Sequence, residues 1–175
     1  MFLALPKSSG GWWPIALLSN VCKFLVRVVL HRLKQHLVAP TNQFAAYGGT
    51  NAALNLLQQY IRRHESHALP VYAVFLDVSK AFDRVHVPSL FHLLRDQIPM
   101  YLLRWITNFL SNRTGSLGDA KVEIANRVPQ GSVLGPFLFQ HYVKNILSGL
   151  PNHMHAAAYA DDFVIASAGR SIDII

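Results

Sequence analysis

Two carboxylates stand side by side at Asp161 and Asp162, inside the stretch AAAYADDFVIASA over residues 156–168. Apolar residues run up to the pair and resume at once with Phe163-Val164-Ile165. Aspartate is a turn former, so this pattern predicts a β-hairpin with the acid pair at or beside its tip. Neighbouring carboxylates repel each other and each resists leaving water. A fold that holds both at the end of apolar strands is therefore suited to a cation, and Mg²⁺ takes carboxylate oxygens while keeping positions open for phosphates. For a bare Asp-Asp a solvated turn would be the better reading. A second stretch, VYAVFLDVSKAFDRV over residues 71–85, weighs against that. Val71 to Leu76, bounded by Pro70, reads as a buried strand that ends on Asp77. The carboxyl end of a central strand is where ligand chemistry gathers in α/β sheets; taken alone, Asp77 would serve as well as a helix N-cap. Two such strands, each ending on carboxylate, point to one shared metal site.

The elements that must position these acids follow from periodicity. Residues 8–12 read as loop and Pro14 as lying near a helix start, with Ser19 or Asn20 as N-cap. From Val21 to Val38 the apolar residues Val21, Phe24, Leu25, Val28, Val29, Leu33 and Leu37 recur at helical spacing, with Lys23, Arg27, Arg32 and Lys34 along the same helix. These cations suit a solvated face or phosphate contacts. Further helices are predicted over 51–64, 88–96, 100–110 and 137–147, and a strand over 121–128. Leu102, Leu103, Ile106, Phe109 and Leu110 form the buried stripe of the 100–110 helix, with Trp105 as core. The order gives an α+β fold, a small antiparallel sheet with helices packed on one side. His64 and His67 lie three apart with no further ligand nearby, which leaves zinc without a full set.

A chain of 175 residues is long enough for one domain with a real core. Half its residues are hydrophobic and few are charged, which excludes a disordered chain. The net charge of +7 suits a polyanionic partner such as nucleic acid. A single cysteine, Cys22, excludes an internal disulfide framework and a Cys-based zinc site. MFLALPKSSGG has no basic residue ahead of its short apolar run, so no signal peptide is expected. The best membrane candidate, Ile15 to Leu30, carries Lys23 and Arg27, so no transmembrane span or membrane partner is expected. No basic cluster marks a nuclear import signal, and nucleus and cytoplasm stay equally open.

Three motifs in order resemble reverse transcriptases of the non-LTR (LINE-like) retrotransposon class: Phe75-Leu76-Asp77-Val78-Ser79-Lys80-Ala81-Phe82-Asp83-Arg84-Val85, then Pro129-Gln130-Gly131-Ser132-Val133-Leu134-Gly135-Pro136, then Tyr159-Ala160-Asp161-Asp162. The resemblance runs from about Lys7 to Ala168. It implies one partial reverse transcriptase domain over 1–175, with fingers-like helices over about 1–69 and a palm over about 70–175. It also implies two Mg²⁺ ions, with Mn²⁺ as a substitute, at Asp77, Val78, Asp161 and Asp162. The catalytic set would be Asp77, Asp161 and Asp162. The backbone from Val78 through Ser79, Lys80 and Ala81 to Phe82 would cradle the triphosphate of a dNTP, and the Phe82 ring would close the sugar pocket against a 2′-hydroxyl. Gln130 and Gly131 would meet nucleotide or template, Tyr159 the primer end, and Lys7 a phosphate. The partners implied are an RNA template, a DNA primer and dNTPs, with a thumb and an endonuclease of the parent polyprotein expected outside these residues.

Some positions depart from the family pattern. Trp13 stands where an arginine is usual, and it offers neither the charge nor the forked donors of one. The family's Gln-x-Gly-Phe-Arg stretch appears as Gln43-Phe44-Ala45-Ala46-Tyr47-Gly48-Gly49, without its arginine. Lys144-Asn145 replaces an Asn-Asp pair, and Gly135 a serine. Two functional classes follow: an RNA-directed DNA polymerase domain, or a non-catalytic remnant of one that retains basic nucleic-acid binding. A hydrolase built on an unrelated Asp cluster would leave the Pro-Gln-Gly turn without a purpose.

Overall fold

The computed structural model describes residues 2–6, 12–38, 40–45, 49–111, 113–117, 120–124 and 128–169, with the backbone alone for 2–6, 12–14, 115–117, 120–124 and 147–148. The chain folds as two compact units, interleaved in sequence. One comprises Met1–Val38 and Lys80–Tyr142, the other Ala39–Ser79 and Val143–Ile175.

In the first unit, β1 (Phe2–Pro6) pairs antiparallel with β2 (Trp12–Ala16), Phe2 opposite Ala16. Pro14 therefore lies in a strand and not near a helix start. A two-stranded ribbon has only edges, so the amide proton that proline lacks need not be missed there. Helix α1 (Asn20–Leu33) begins after it, and Ser19 Oγ accepts the Cys22 N–H at 3.2 Å as the expected N-cap. This helix carries two apolar stripes. Val26, Val29 and Leu33 are buried, and Leu37 follows them into the core from the turn beyond the helix. Val21, Phe24, Leu25 and Val28, expected on the same stripe, lie exposed, Phe24 at 66%.

Pro88 opens α3 (Val87–Arg95), and α4 (Met100–Leu110) occupies the predicted span. Leu90 and Leu94 of α3, and Leu102, Ile106 and Leu110 of α4, are fully buried. Trp105 is half-buried and stacks on Phe109 with centroids 5.1 Å apart. The predicted 121–128 strand appears as β5 (Ala120–Ile124), paired with β4 (Arg113–Leu117), which the sequence pattern did not reveal. Helix α5 (Leu134–Ser148) starts directly from the Pro-Gln-Gly turn and buries Leu134, Phe137 and Leu138.

The second unit is built on an antiparallel sheet in the order β3-β7-β6. The strands are β3 (Val71–Asp77), β6 (Met154–Tyr159) and β7 (Asp162–Ala168), so the last strand in sequence is central and bonds to both others. Helix α2 (Gly49–Glu65) packs on β6 and β3, and Tyr60 stacks on His155 of β6 at 4.8 Å. Strand β3 departs from expectation. Its β-branched and aromatic run predicts a buried strand, yet Ala73 to Asp77 are exposed, Phe75 at 73%. Among the described residues it is an edge strand with a partner on one side only, and a hydrophobic run cannot distinguish edge from centre. His64 and His67 turn Nδ1 toward the carbonyls of Tyr60 and Arg63, both at 2.8 Å, and so help finish α2.

Candidate active site

Small residues make the hairpin possible. Ala156, Ala157 and Ala158 of β6 are buried, as are Phe163 and Ala166 of β7. Tyr159 lies opposite Asp162, so the connection is a two-residue loop of Ala160 and Asp161. Ala160 has φ +55°, a conformation that hairpin geometry demands at this point and that alanine adopts at a cost.

Strand pairing brings the carboxylates together. Asp77, at the end of β3, lies directly opposite Asp162, the first residue of β7. Residues paired across antiparallel strands point to the same face, so Asp77, Asp162 and Tyr159 share one face at one end of the sheet. Asp161 projects from the adjoining loop, and its carbonyl accepts the Val78 N–H at 3.3 Å, which ties the end of β3 to the turn. Asp77 and Asp162 are exposed, and Asp161 is half-buried. The Asp161 carboxyl is held above the ordinary carboxylate range, chiefly because partial burial strips its hydration. A hydrogen bond from its own backbone opposes this, and the charges of Asp162 and Asp77 push it further up.

The mutual repulsion of three acids is what a cation would relieve. Their donor set is all oxygen and anionic, as a hard divalent ion prefers. Among the described residues, no three His, Cys, Asp or Glu side chains stand close enough together to enclose an ion as they are. The exposed Asp77 and Asp162 have room to swing, so the set fits a metal that draws its ligands in on binding.

The other expected contacts fall into separate groups. Val78 and Ser79 belong to the compact unit of the carboxylates; Lys80, Ala81 and Phe82 belong to the other. Lys80 is exposed with φ +56° and leads into a single 3₁₀ turn, Ala81–Arg84, in which Ala81 is buried. The half-buried Phe82 ring tilts against Phe139 of α5, centroids 5.1 Å apart. The Gln130 carbonyl accepts the Ala16 N–H at 2.8 Å. Gly131 has φ +102°, and a Cβ there would sit 2.7 Å from the Ala16 carbonyl oxygen. The close approach this glycine allows is thus to the end of β2. Tyr159 borders the carboxylates at 36% exposure. Lys7 lies outside the described residues, as does the side chain of Trp13. Gln43, to which the motif reading gave no role, touches the hairpin loop. Its place in a quoted motif was the only sign of it in the sequence.

An α+β fold with acids at the adjoining ends of β3 and β7 is consistent with the palm of a polymerase. The structure of telomerase from Candida albicans, in complex with a fragment of telomeric RNA, shares this fold at a TM-score of 0.67 over 95% of the present chain and 37% of its own, with 11% sequence identity. The profile of the family described as "Reverse transcriptase (RNA-dependent DNA polymerase)" matches residues 5–173, and the chain belongs to that family. Its relatives place it in the non-LTR class. The RNA-directed DNA polymerase from mobile element jockey of Drosophila melanogaster is 30% identical over 95% of the chain. The Pol polyprotein from the type-1 retrotransposable element R2 of Nasonia vitripennis is 26% identical over 95%. The chain spans about a fifth of the length of these curated relatives, 20% and 18% respectively.

Proposed function

We propose that this chain carries the nucleotidyl-transfer site of an RNA-directed DNA polymerase, extending a DNA primer on an RNA template with dNTPs. The observation that carries the proposal is the register of β3 against β7, which sets Asp77 opposite Asp162 beside Asp161 in the loop. In the reaction the primer 3′-hydroxyl oxygen forms a bond to the α-phosphorus of the nucleotide, the bond to the bridging oxygen breaks, and pyrophosphate leaves with that electron pair. The hydroxyl proton passes to solvent.

Asp77, Asp161, Asp162 and the backbone of Val78 would hold two divalent cations, Mg²⁺ or Mn²⁺, whose chemistry when bound is to acidify the hydroxyl and neutralise the leaving oxygens. The protein's own part is to fix positions and supply fixed charge. Tyr159, beside the carboxylates, would touch the primer end. The backbone from Val78 through Ser79, Lys80 and Ala81 to Phe82 would cradle the triphosphate, and the Phe82 ring would close the sugar pocket against a 2′-hydroxyl. Gln130, Gly131 and Lys7 complete the assigned contacts to nucleotide and template. We keep the functional division into fingers-like residues, about 1–69, and palm, about 70–175, within the same proposal.

The test is primer extension by the purified chain on poly(rA)/oligo(dT) with Mg²⁺, beside Asp161→Ala and Asp162→Ala. Incorporation of dTTP that vanishes in both variants supports the reading. Incorporation indifferent to both substitutions overturns it, and a folded chain without incorporation confines the activity to a longer parent protein.

A further inference from the structure

We propose that Gln43 is a positioning residue for Asp161, acting through the peptide groups of Ala160. Gln43 is 1% exposed, which makes it one of the few fully buried polar side chains. A buried amide needs partners, and those it has chosen are informative. Its Oε1 accepts the Ala160 N–H at 3.0 Å, and its Nε2 donates to the Ala160 carbonyl at 3.1 Å. A longer contact at 3.5 Å runs from the Ala45 N–H to the same Oε1. Both polar groups of the first loop residue are thus gripped by one side chain. Only a carboxamide can accept and donate in this way; a carboxylate accepts alone, and an apolar residue does neither.

The backbone that carries Gln43 is itself anchored. Phe44 N–H donates to the Ala158 carbonyl at 2.9 Å, and Ala158 N–H donates to the Asn42 carbonyl at 2.8 Å. Residues 42–44 therefore lie along the outer edge of β6 as a short parallel bridge, just before the loop. Ala160 needs such a hold, because its φ of +55° is a conformation that relaxes unless the surroundings over-determine it. Asp161 follows directly in the chain, and its carbonyl is tied on the other side by Val78. Gln43 and Val78 grip the two loop residues separately, and the direction of the Asp161 carboxylate is set by both.

The inference rests on the proposed function only for its kinetic consequence. The first measurement is amide exchange by NMR on the full chain carrying Gln43→Met, similar in length but unable to hydrogen-bond. The Ala160 amide is expected to exchange about tenfold faster or more, with amide shifts moving at Asp161 and Asp162 and holding steady in Val164 to Ser167. Mn²⁺ affinity, read by electron paramagnetic resonance, and kcat for primer extension should each fall by about tenfold, as for other outer-shell partners of metal ligands, with the KM for primer–template unchanged. A Gln43 that merely fills space would lower the melting temperature and leave Ala160 exchange, Mn²⁺ affinity and the kcat of folded protein where they were; that result overturns the proposal. A second arm repeats the comparison in an Ala160→Gly background, where the loop no longer needs holding and the penalty on Mn²⁺ affinity should shrink by at least about threefold. An undiminished penalty also counts against the proposal. Should Gln43→Met not fold, Gln43→Asn, one methylene too short for the double contact, takes its place with the same readouts. If Asp161→Ala alters neither Mn²⁺ affinity nor extension, the polymerase reading fails while Ala160 exchange still judges Gln43.

Discussion

The ionisation of Asp161 works against the fold. Its raised pKa means that the folded chain holds this proton more tightly than the unfolded chain does. The stabilisation is therefore present at low pH and is lost as pH rises from the ordinary carboxylate range through the folded value. Asp161→Asn removes that dependence. In metal-free buffer the variant should melt higher than the parent at neutral pH, and the gap should close as pH falls through the carboxylate range; a gap constant from pH 3 to 7 would refute this. The same substitution should cut primer extension by at least about 100-fold. At Gly131 the constraint is steric: Gly131→Ala brings a Cβ to 2.7 Å from a backbone oxygen at φ +102°. We expect a loss of about 1–3 kcal/mol in urea unfolding. The acid site was legible at this scale because carboxylates interrupting apolar strands are unusual. The duty of Gly131 toward Ala16 was not, since a glycine in a turn does not announce which backbone it lets approach.

At the scale of elements, α1 and β3 show what periodicity can and cannot tell. Both were recognised as helix and strand from their apolar spacing, and α4 was placed at its observed bounds. Which apolar face turns inward was not legible, because α1 has two stripes of similar hydrophobicity and only packing chooses between them. Leu33→Ala should therefore cost about 2–5 kcal/mol, as large-to-small changes in a closed core do. Phe24→Ala, on the exposed stripe, should stay within about 0.5 kcal/mol. Equal losses for both in urea titrations would show that the assignment of faces is wrong. Strand β5 was legible from its alternation, but β1, β2 and β4 were not, because short strands in two-stranded pairs need not sustain a clear alternation. Among the described residues strand β3 is paired on one side only, and it exposes Val74, Phe75 and Leu76 without the lysine or bulge that guards many edges. Phe75→Lys should lower light scattering during heating while shifting stability by less than about 1 kcal/mol.

For the molecule as a whole, charge is the property that bears on partners. A net +7 with only nine acidic residues, three of them gathered at the sheet end, leaves much of the surface to cations. Binding of single-stranded RNA or DNA should be largely electrostatic. Fluorescence anisotropy should show the affinity falling by at least about tenfold between 50 and 200 mM salt, with a slope that Asp162→Ala leaves unchanged. Affinity indifferent to salt would contradict this. The α+β class and the order of motifs were readable from the chain alone. The division into interleaved units was not, because it depends on contacts between segments remote in sequence.

That β7 is both last in sequence and central in its sheet has a consequence for biosynthesis. A chain leaving the ribosome exposes β3 long before its bonded neighbour β7 exists, and β6 emerges without the strand that joins the two. Residues of the first unit, ending at Tyr142, are all translated before that hairpin begins. Domains tend to form as units, earlier segments first, during synthesis. The carboxylate site is thus completed only when β7 is made: Asp77 waits in a nascent strand until Asp162 arrives to face it, and without β7 neither β3 nor β6 has the partner that joins them in this sheet.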